Sequence, residues 1–452
     1  MKRNTSNDGA DRLKTVRHLT AIAAVALMAG SVSACAGLGS INPFKGEKKD
    51  PLPGERHEVM PGSALTVSGG RASVGGRSAM NEWSQPGGNA ANDPGNVGLS
   101  GGVSASAWEV RALGGLGRRD VRTSSPPLIY GGNVYVYDPS GTVTALSAGG
   151  GKLWTTSVGP AKEGRAPGGG IAASGNRIFA ATGFGQMIAL DAASGNKLWS
   201  VDLDAPARSA PTAADGKVFV VSGTSVVHAF NQADGKEAWN QPGIGEVAGV
   251  LSSASPAVAG GSVVVPYPSG EVIAFEAASG KMKWTDTVIR PTRTMAVSGI
   301  TDVAASPVID NGVVYASGVA GRTVAIRLSD GSRVWEQAVG SSATPVVSGN
   351  SVFLVDLQGF MVALDRSSGK IIYRSELPGK HTKRFNTIWT GPTLAGGTLW
   401  AVSNDGQLVG VEPSTGSISS TRTLSKPAFM KPVAAAGELL VLQSDGTLAA
   451  FR

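Results

Sequence analysis

A phrase of about 45 residues recurs along most of this chain, and its core reads apolar strand, Gly-x-Val-x-Ala-Leu-Asp-x-x-Ser-Gly-x-x-x-Trp. The cleanest copy runs from Gly185 through Met187, Ala189, Leu190, Asp191, Ser194 and Gly195 to Trp199. A fixed period of this size means stacked similar units, each unable to bury its apolar face alone. Within each unit the apolar residues alternate with a period of two, so the units are built of strands. This makes a single-pocket enzyme the poorer reading.

Each unit opens with a short strand near Ser-x-Pro and continues into a second strand of the type Gly-x-Val-Tyr/Phe-Val. After a glycine turn comes the third strand, x-Val-x-Ala-Leu/Phe. A Ser/Asp-Gly turn then leads to a fourth strand that carries the Trp. Glycine supplies the positive φ that such tight turns need. The marker residues are Trp154, Trp199, Trp239, Trp284 and Trp335, then Tyr373 and Ser420 in the sixth and seventh units. An eighth unit starts at Lys431 and runs out at Arg452, after its third strand. The fragment Ser106-Ala107-Trp108-Glu109-Val110 has a Trp but no three strands before it, and Trp108 precedes Trp154 by 46 residues, one more period. The pattern therefore predicts an all-β, eight-bladed β-propeller of four-stranded antiparallel blades over 106–452, closed by an N-terminal strand. Closure matters because an open array would leave its end sheets unburied. The tryptophans are expected to pack between blades, not to form a cofactor cage.

Upstream of the repeats the composition changes twice. Lys2, Arg3, Arg12, Lys14 and Arg17 precede a mostly apolar run from Leu19 to Val32, and Ser33-Ala34-Cys35 follows. This reads as a signal peptide over 1–34 ending in a lipobox, with Cys35 as the acylated new N-terminus. Cys35 is the chain's single cysteine, so no intramolecular disulfide can form. Residues 35–105, rich in Gly, Ser, Pro and Asn, are expected to form a lipidated flexible tether. Inside it lies one aromatic island, Asn81 to Asn89 around Trp83, poised between docking on the body and remaining linker. The net charge of +7 is partly spent on the leader, and no basic stripe with interleaved aromatics supports nucleic-acid binding.

Catalytic chemistry is sparse. Of four histidines, only His228 and His381 fall in the repeats, and His228 occupies an ordinary third-strand slot, read as a satisfied structural histidine. No His-x-x-x-His, Cys-x-x-Cys, nucleophile elbow or phosphate loop occurs. Asp191 and Asp365 recur just before Ser-Gly turns and are expected to cap them. No cofactor or metal is expected.

The repeat resembles the pyrroloquinoline quinone (PQQ) type propeller motif, which implies as an alternative a PQQ-dependent periplasmic dehydrogenase. Those enzymes use vicinal cysteines and an axial carboxylate cluster, and this sequence has neither. Cell-wall polysaccharide binding through the basic loops is a third reading. The lipobox, the low-complexity tether, Trp83-Ser84-Gln85-Pro86-Gly87-Gly88-Asn89 and eight blades together resemble the BamB family, lipoprotein scaffolds of the β-barrel assembly machinery, in an α-proteobacterial form. That resemblance implies a non-catalytic protein on the periplasmic face of the outer membrane that binds the POTRA domains of BamA beside other lipoproteins of the machinery. Ala36, in place of the Asp that favours inner-membrane retention in enterobacteria, fits the outer-membrane address. In this family one interblade loop carries leucines and an arginine that contact BamA, and the next carries two acidic residues. Asp302, ahead of Ser306-Pro307 and Asn311-Gly312, matches the first acid, while Ala304 replaces the second. One blade earlier fall Val250 and Leu251, with no arginine beside them. Arg208, a further blade back, is the nearest interblade arginine. Val250, Leu251, Asp302 and Arg208 are thus the expected partner-binding residues.

Overall fold

In the computed structural model the described residues are 65–114, 125–160, 164–243, 254–288, 305–319, 321–380 and 386–452. They form eight four-stranded antiparallel sheets. The first is Leu128–Tyr130, Asn133–Asp138, Thr142–Ser147 and Lys152–Ser157, each strand pairing with the next. Six further sheets repeat that order. The eighth joins Val433–Ala435, Glu438–Leu442 and Thr447–Phe451 to the N-terminal strand Ser106–Arg111, which pairs Trp108 with Ala450. The molecule is the eight-bladed propeller that the repeat predicts, with its ring closed by the N-terminal strand.

The repeat consensus has a packing reason at nearly every letter. The Ala of the third strand lies opposite the Trp of the fourth: Ala145 faces Trp154, Ala189 faces Trp199 and Ala229 faces Trp239. A methyl there leaves room for the indole. The indole also meets a second-strand aromatic, as in Phe219–Trp239 with ring centroids 5.8 Å apart. Its Nε1 then donates to a carbonyl of the next blade: Trp199 to Gln232 at 3.0 Å, Trp239 to Ala277 at 3.0 Å, Trp284 to Leu328 at 2.8 Å. The ring lies flat on the turn glycine of that neighbour. A Cβ on Gly280 would come within 2.6 Å of Trp239, and Gly280 also has a φ of +74°. The Ser/Asp-Gly of one blade is therefore both a turn and the seat for the tryptophan of the blade before it. Trp108 makes the same contact on Gly150 of blade 1, so the closing strand completes the series.

Blade 7 departs from the pattern for a structural reason. Ser420 stands in the Trp register opposite Gly410. Its neighbour is blade 8, whose third and fourth strands, Thr447–Phe451 and Ser106–Arg111, are far apart in sequence and share no turn. No turn glycine exists there to receive an indole. Tyr373 does have its seat, on Gly416 of blade 7. Asp191 and Asp365 cap their turns as expected: Asp191 accepts from the backbone N–H of Ser194 at 2.8 Å, and Asp365 from that of Ser368 at 2.9 Å. The Ser194 hydroxyl and then its N–H hold the Asp191 carboxyl below the usual carboxylate range, and the hydroxyls of Ser367 and Ser368, with their N–H groups, do the same for Asp365.

Residues 65–103 behave differently from the tether expected over 35–105. Cys35 and the rest of 35–64 lie outside the described residues; from Leu65 onward the chain is packed on the propeller. It enters at blade 6, where Ser68 bonds Ile371 and Gly75 bonds Ser348. It then circles the axis, pairing Met80 with Ala436, Trp83 with Ile129, Ser84 with Ala173, Ala90 with Val258 and Ala91 with Ile309. It returns through Val97 on Leu394 and Ser100 on Gly437. The strap thus touches all eight blades at the end of the channel where first and second strands turn. Low hydrophobicity did not leave it free, because the inner strands offer unpaired backbone groups and the strap supplies partners. The island around Trp83 is docked: Trp83 is fully buried, and the Gln85 amide donates to Ala173 and Ala213 at 3.2 and 3.0 Å while accepting from the Ala213 N–H at 3.1 Å.

Candidate partner-binding rim

At the other end of the channel, the interblade loops meet the turns between second and third strands, as strand alternation requires. The loop Asp204–Ser209, between blades 2 and 3, shows how such a loop is held. Ala207 N–H donates to Thr182 at 3.0 Å on one blade, and Arg208 N–H to Val221 at 2.9 Å on the next. Gly223 N–H returns to Pro206 at 2.8 Å. Gly168 presses so close that a Cβ would sit 2.4 Å from the Ala207 carbonyl oxygen. Arg208, one of the four expected partner residues, is therefore carried half-buried on a rigid loop of the rim.

Val250, Leu251 and Asp302 lie outside the described residues, but the feet of their loops are described. Gly243 donates to the Ser225 carbonyl at 2.8 Å, immediately before 244–253. Val288 is fully buried and donates to Gly270 at 2.9 Å, immediately before 289–304. Where the two loops return, Ser255 N–H donates to Ser306 Oγ at 2.9 Å. Arg208, Val250–Leu251 and Asp302 thus belong to loops on three consecutive seams, between blades 2 and 3, 3 and 4, and 4 and 5. The described feet of these loops, Gly243, Ser255, Val288 and Ser306, lie at adjacent blades.

His228 does more than fill its third-strand slot. Its Nδ1 lies 2.7 Å from Glu237 Oε1 and its Nε2 2.8 Å from Asp204 Oδ1. The ring is buried and stacks on Phe230 with centroids 5.8 Å apart. When protonated it donates at both nitrogens, joining the rim loop to the outer strand Glu237–Pro242. Burial pushes the Asp204 carboxyl up, but hydrogen bonds from Thr224, His228 and Ser222 outweigh it and the group lies below its ordinary value. This latch beside Arg208 was missed from sequence. The signal available was a histidine in a slot that holds Ile188 and Ile273 in neighbouring blades, with a glutamate nine residues on.

Among the described residues no three His, Cys, Asp or Glu side chains converge as metal ligands would. The rim offers backbone-held loops with charged and apolar side chains, which is the chemistry of recognition on a rigid frame.

Comparison with known proteins gives the family. Two curated relatives are outer membrane protein assembly factors BamB: that of Yersinia pestis is 26% identical, over 76% of this chain and 88% of the relative, and that of Escherichia coli K12 is 28% identical, over 76% and 87%. Among solved structures, BamB from Moraxella catarrhalis matches with a TM-score of 0.64 and 18% identity, over 77% of this chain and 99% of that one. A europium-containing methanol dehydrogenase matches with a TM-score of 0.63 and 14% identity, over 80% and 89%. At such identities these two structures show a shared fold and no shared chemistry. The family model described as outer membrane protein assembly factor BamB matches residues 139–375 and 362–452. The chain belongs to the family of the outer membrane protein assembly factor BamB.

Proposed function

We propose that this chain is a lipid-anchored scaffold of the β-barrel assembly machinery, docking the POTRA domains of BamA on its interblade-loop rim. At the coarser level the protein is an outer-membrane-associated assembly factor and not an enzyme. The observation that carries this is the family match across residues 139–452. Cys35 supplies the anchor, on the periplasmic face of the outer membrane, and residues 36–64 the reach from lipid to propeller. Val250, Leu251, Asp302 and Arg208 supply the contact. Support for the rim comes from the geometry: the strap covers the opposite end of the channel, which leaves the loop end as the face with variable side chains.

The likeness to quinone-dependent dehydrogenases extends to the fold. With Cys35 as its single cysteine, the chain cannot form their vicinal disulfide. Capture from detergent-solubilised membranes tests the proposal. Wild type should retain BamA, and Leu251→Asp or Asp302→Lys should lower the retained amount at least severalfold, an interfacial charge mismatch costing about 1–3 kcal/mol. Undiminished capture by both variants would move the site off this sector. Cys35→Ser should release the protein from membranes without altering its fold.

A further inference from the structure

We propose that the axial channel holds an oxyanion site, in which the Lys431 ammonium, suspended above the Trp83 ring, binds a phosphate or carboxylate group entering from the interblade-loop end. Lys431 immediately precedes Pro432 and the inner strand Val433–Ala435 of blade 8, so it stands at the loop end of the channel wall. Its Nζ lies 5.6 Å from the centroid of Trp83, which the strap holds fully buried in the wall's other end. Lys431 therefore reaches from the loop end down the channel toward the buried Trp83.

Nothing among the described residues neutralises that ammonium. Among the described residues it has no carboxylate and no hydrogen-bond acceptor, and its one partner is the π face of Trp83. An ammonium carries three donors and no acceptor. Lys431 is half-buried, and an ammonium partly withdrawn from water without anionic oxygens is penalised, which a cation–π contact offsets only in part. Burial accordingly pulls its pKa down to about 8. At the same wall position the other blades carry Pro126, Gly170, Ala210, Ser255, Ser306, Thr344 and Gly391. Those side chains are small and uncharged, so this ring of positions carries a single positive charge. Ser255 Oγ, in the same ring, is buried and without a hydrogen-bond partner. A lone lysine acts as a point charge, which suits a tetrahedral phosphate or a carboxylate equally. The site does not depend on the assembly-factor reading.

The test uses the full chain in detergent. Its unfolding midpoint is followed at pH 7 while inorganic phosphate is titrated against chloride at matched ionic strength, with acetate as a second arm. A saturable rise with either oxyanion is expected, and the stronger arm says whether the natural group is a phosphate or a carboxylate. Lys431→Met should abolish the anion-dependent rise and Lys431→Arg should keep it. The Met variant can shift the midpoint by itself, so the readout is the anion-dependent part within each variant. At pH 9.5 the apparent affinity should fall roughly thirtyfold, the protonated fraction left above a pKa of about 8. No rise in wild type overturns the proposal. A rise that persists unchanged in Lys431→Met also overturns it, meaning an adventitious ion only.

Discussion

Two seams of the same ring are built in opposite ways. Between blades 3 and 4, Trp239 lies on Gly280 and donates to the Ala277 carbonyl. Between blades 7 and 8, Ser420 replaces the indole, Thr393 Oγ1 donates to the Pro432 carbonyl at 2.5 Å, and the outer part of the join is made from outside the repeat. There the strap inserts Val97 beside Leu394 and Ser100 beside Gly437, while the Arg422 guanidinium donates to the Ser104 carbonyl and sits 5.0 Å from the Phe451 ring. The difference teaches that a repeat residue answers to the blade after it. Where two strands distant in sequence pair and share no turn, the consensus letter loses its purpose and the strap contributes to the sealing.

Four substitutions probe that contrast. The largest effect should come from Trp239→Ala, which removes a buried indole together with its hydrogen bond to the next blade. A loss of about 3–5 kcal/mol is expected in denaturant unfolding, and a loss under 1 kcal/mol would mean that the seams do not rest on their aromatics.

The strap carries its own burden at Asp93, between blades 5 and 6. One of its carboxylate oxygens is buried without a hydrogen-bond partner. Burial, and next the Asp310 carboxylate, raise its pKa to about 6, with the Gly95 N–H and Arg366 acting against the rise. The folded state therefore holds this proton more tightly than the unfolded chain does. The charged form is penalised above pH 6, and the penalty disappears as pH falls below about 4. Asp93→Asn should stabilise the protein at pH 7.5 by at most about 3 kcal/mol, and the gain over wild type should shrink as pH drops through 6. A gain that is constant with pH would point to packing instead of charge.

Gly280→Ala should cost about 1–3 kcal/mol, because a methyl meets the Trp239 ring and a positive φ is strained for alanine. Combined with Trp239→Ala, the packing part of that cost should vanish, which a double-mutant cycle would register. The smallest effect belongs to Ser420→Ala, expected within about 0.5 kcal/mol of wild type. A cost comparable to that of Trp239→Ala would erase the distinction between the two seams.

Much of this was legible in the chain itself. Period-two alternation, turn glycines and a Trp every 45 or so residues dictate strands, their grouping in fours and the number of blades, because these are local consequences of backbone geometry repeated along the sequence. The stray Trp108, one period ahead of Trp154, foretold closure for the same reason. The strap was legible only in part. Its composition predicts a linker, and nothing local to Asn81–Asn89 reveals the row of unpaired inner-strand groups that binds it. The His228 latch was likewise hidden, since Asp204, His228 and Glu237 meet only when an interblade loop folds back over a turn. Ser420 carried no meaning until blade 8 was seen to lack a turn. Repetition is a property of neighbours in sequence, and one chain can state it alone. Which donor finds which acceptor across the axis, and where an ammonium is left over, depends on residues hundreds of positions apart, so only the closed ring could decide it.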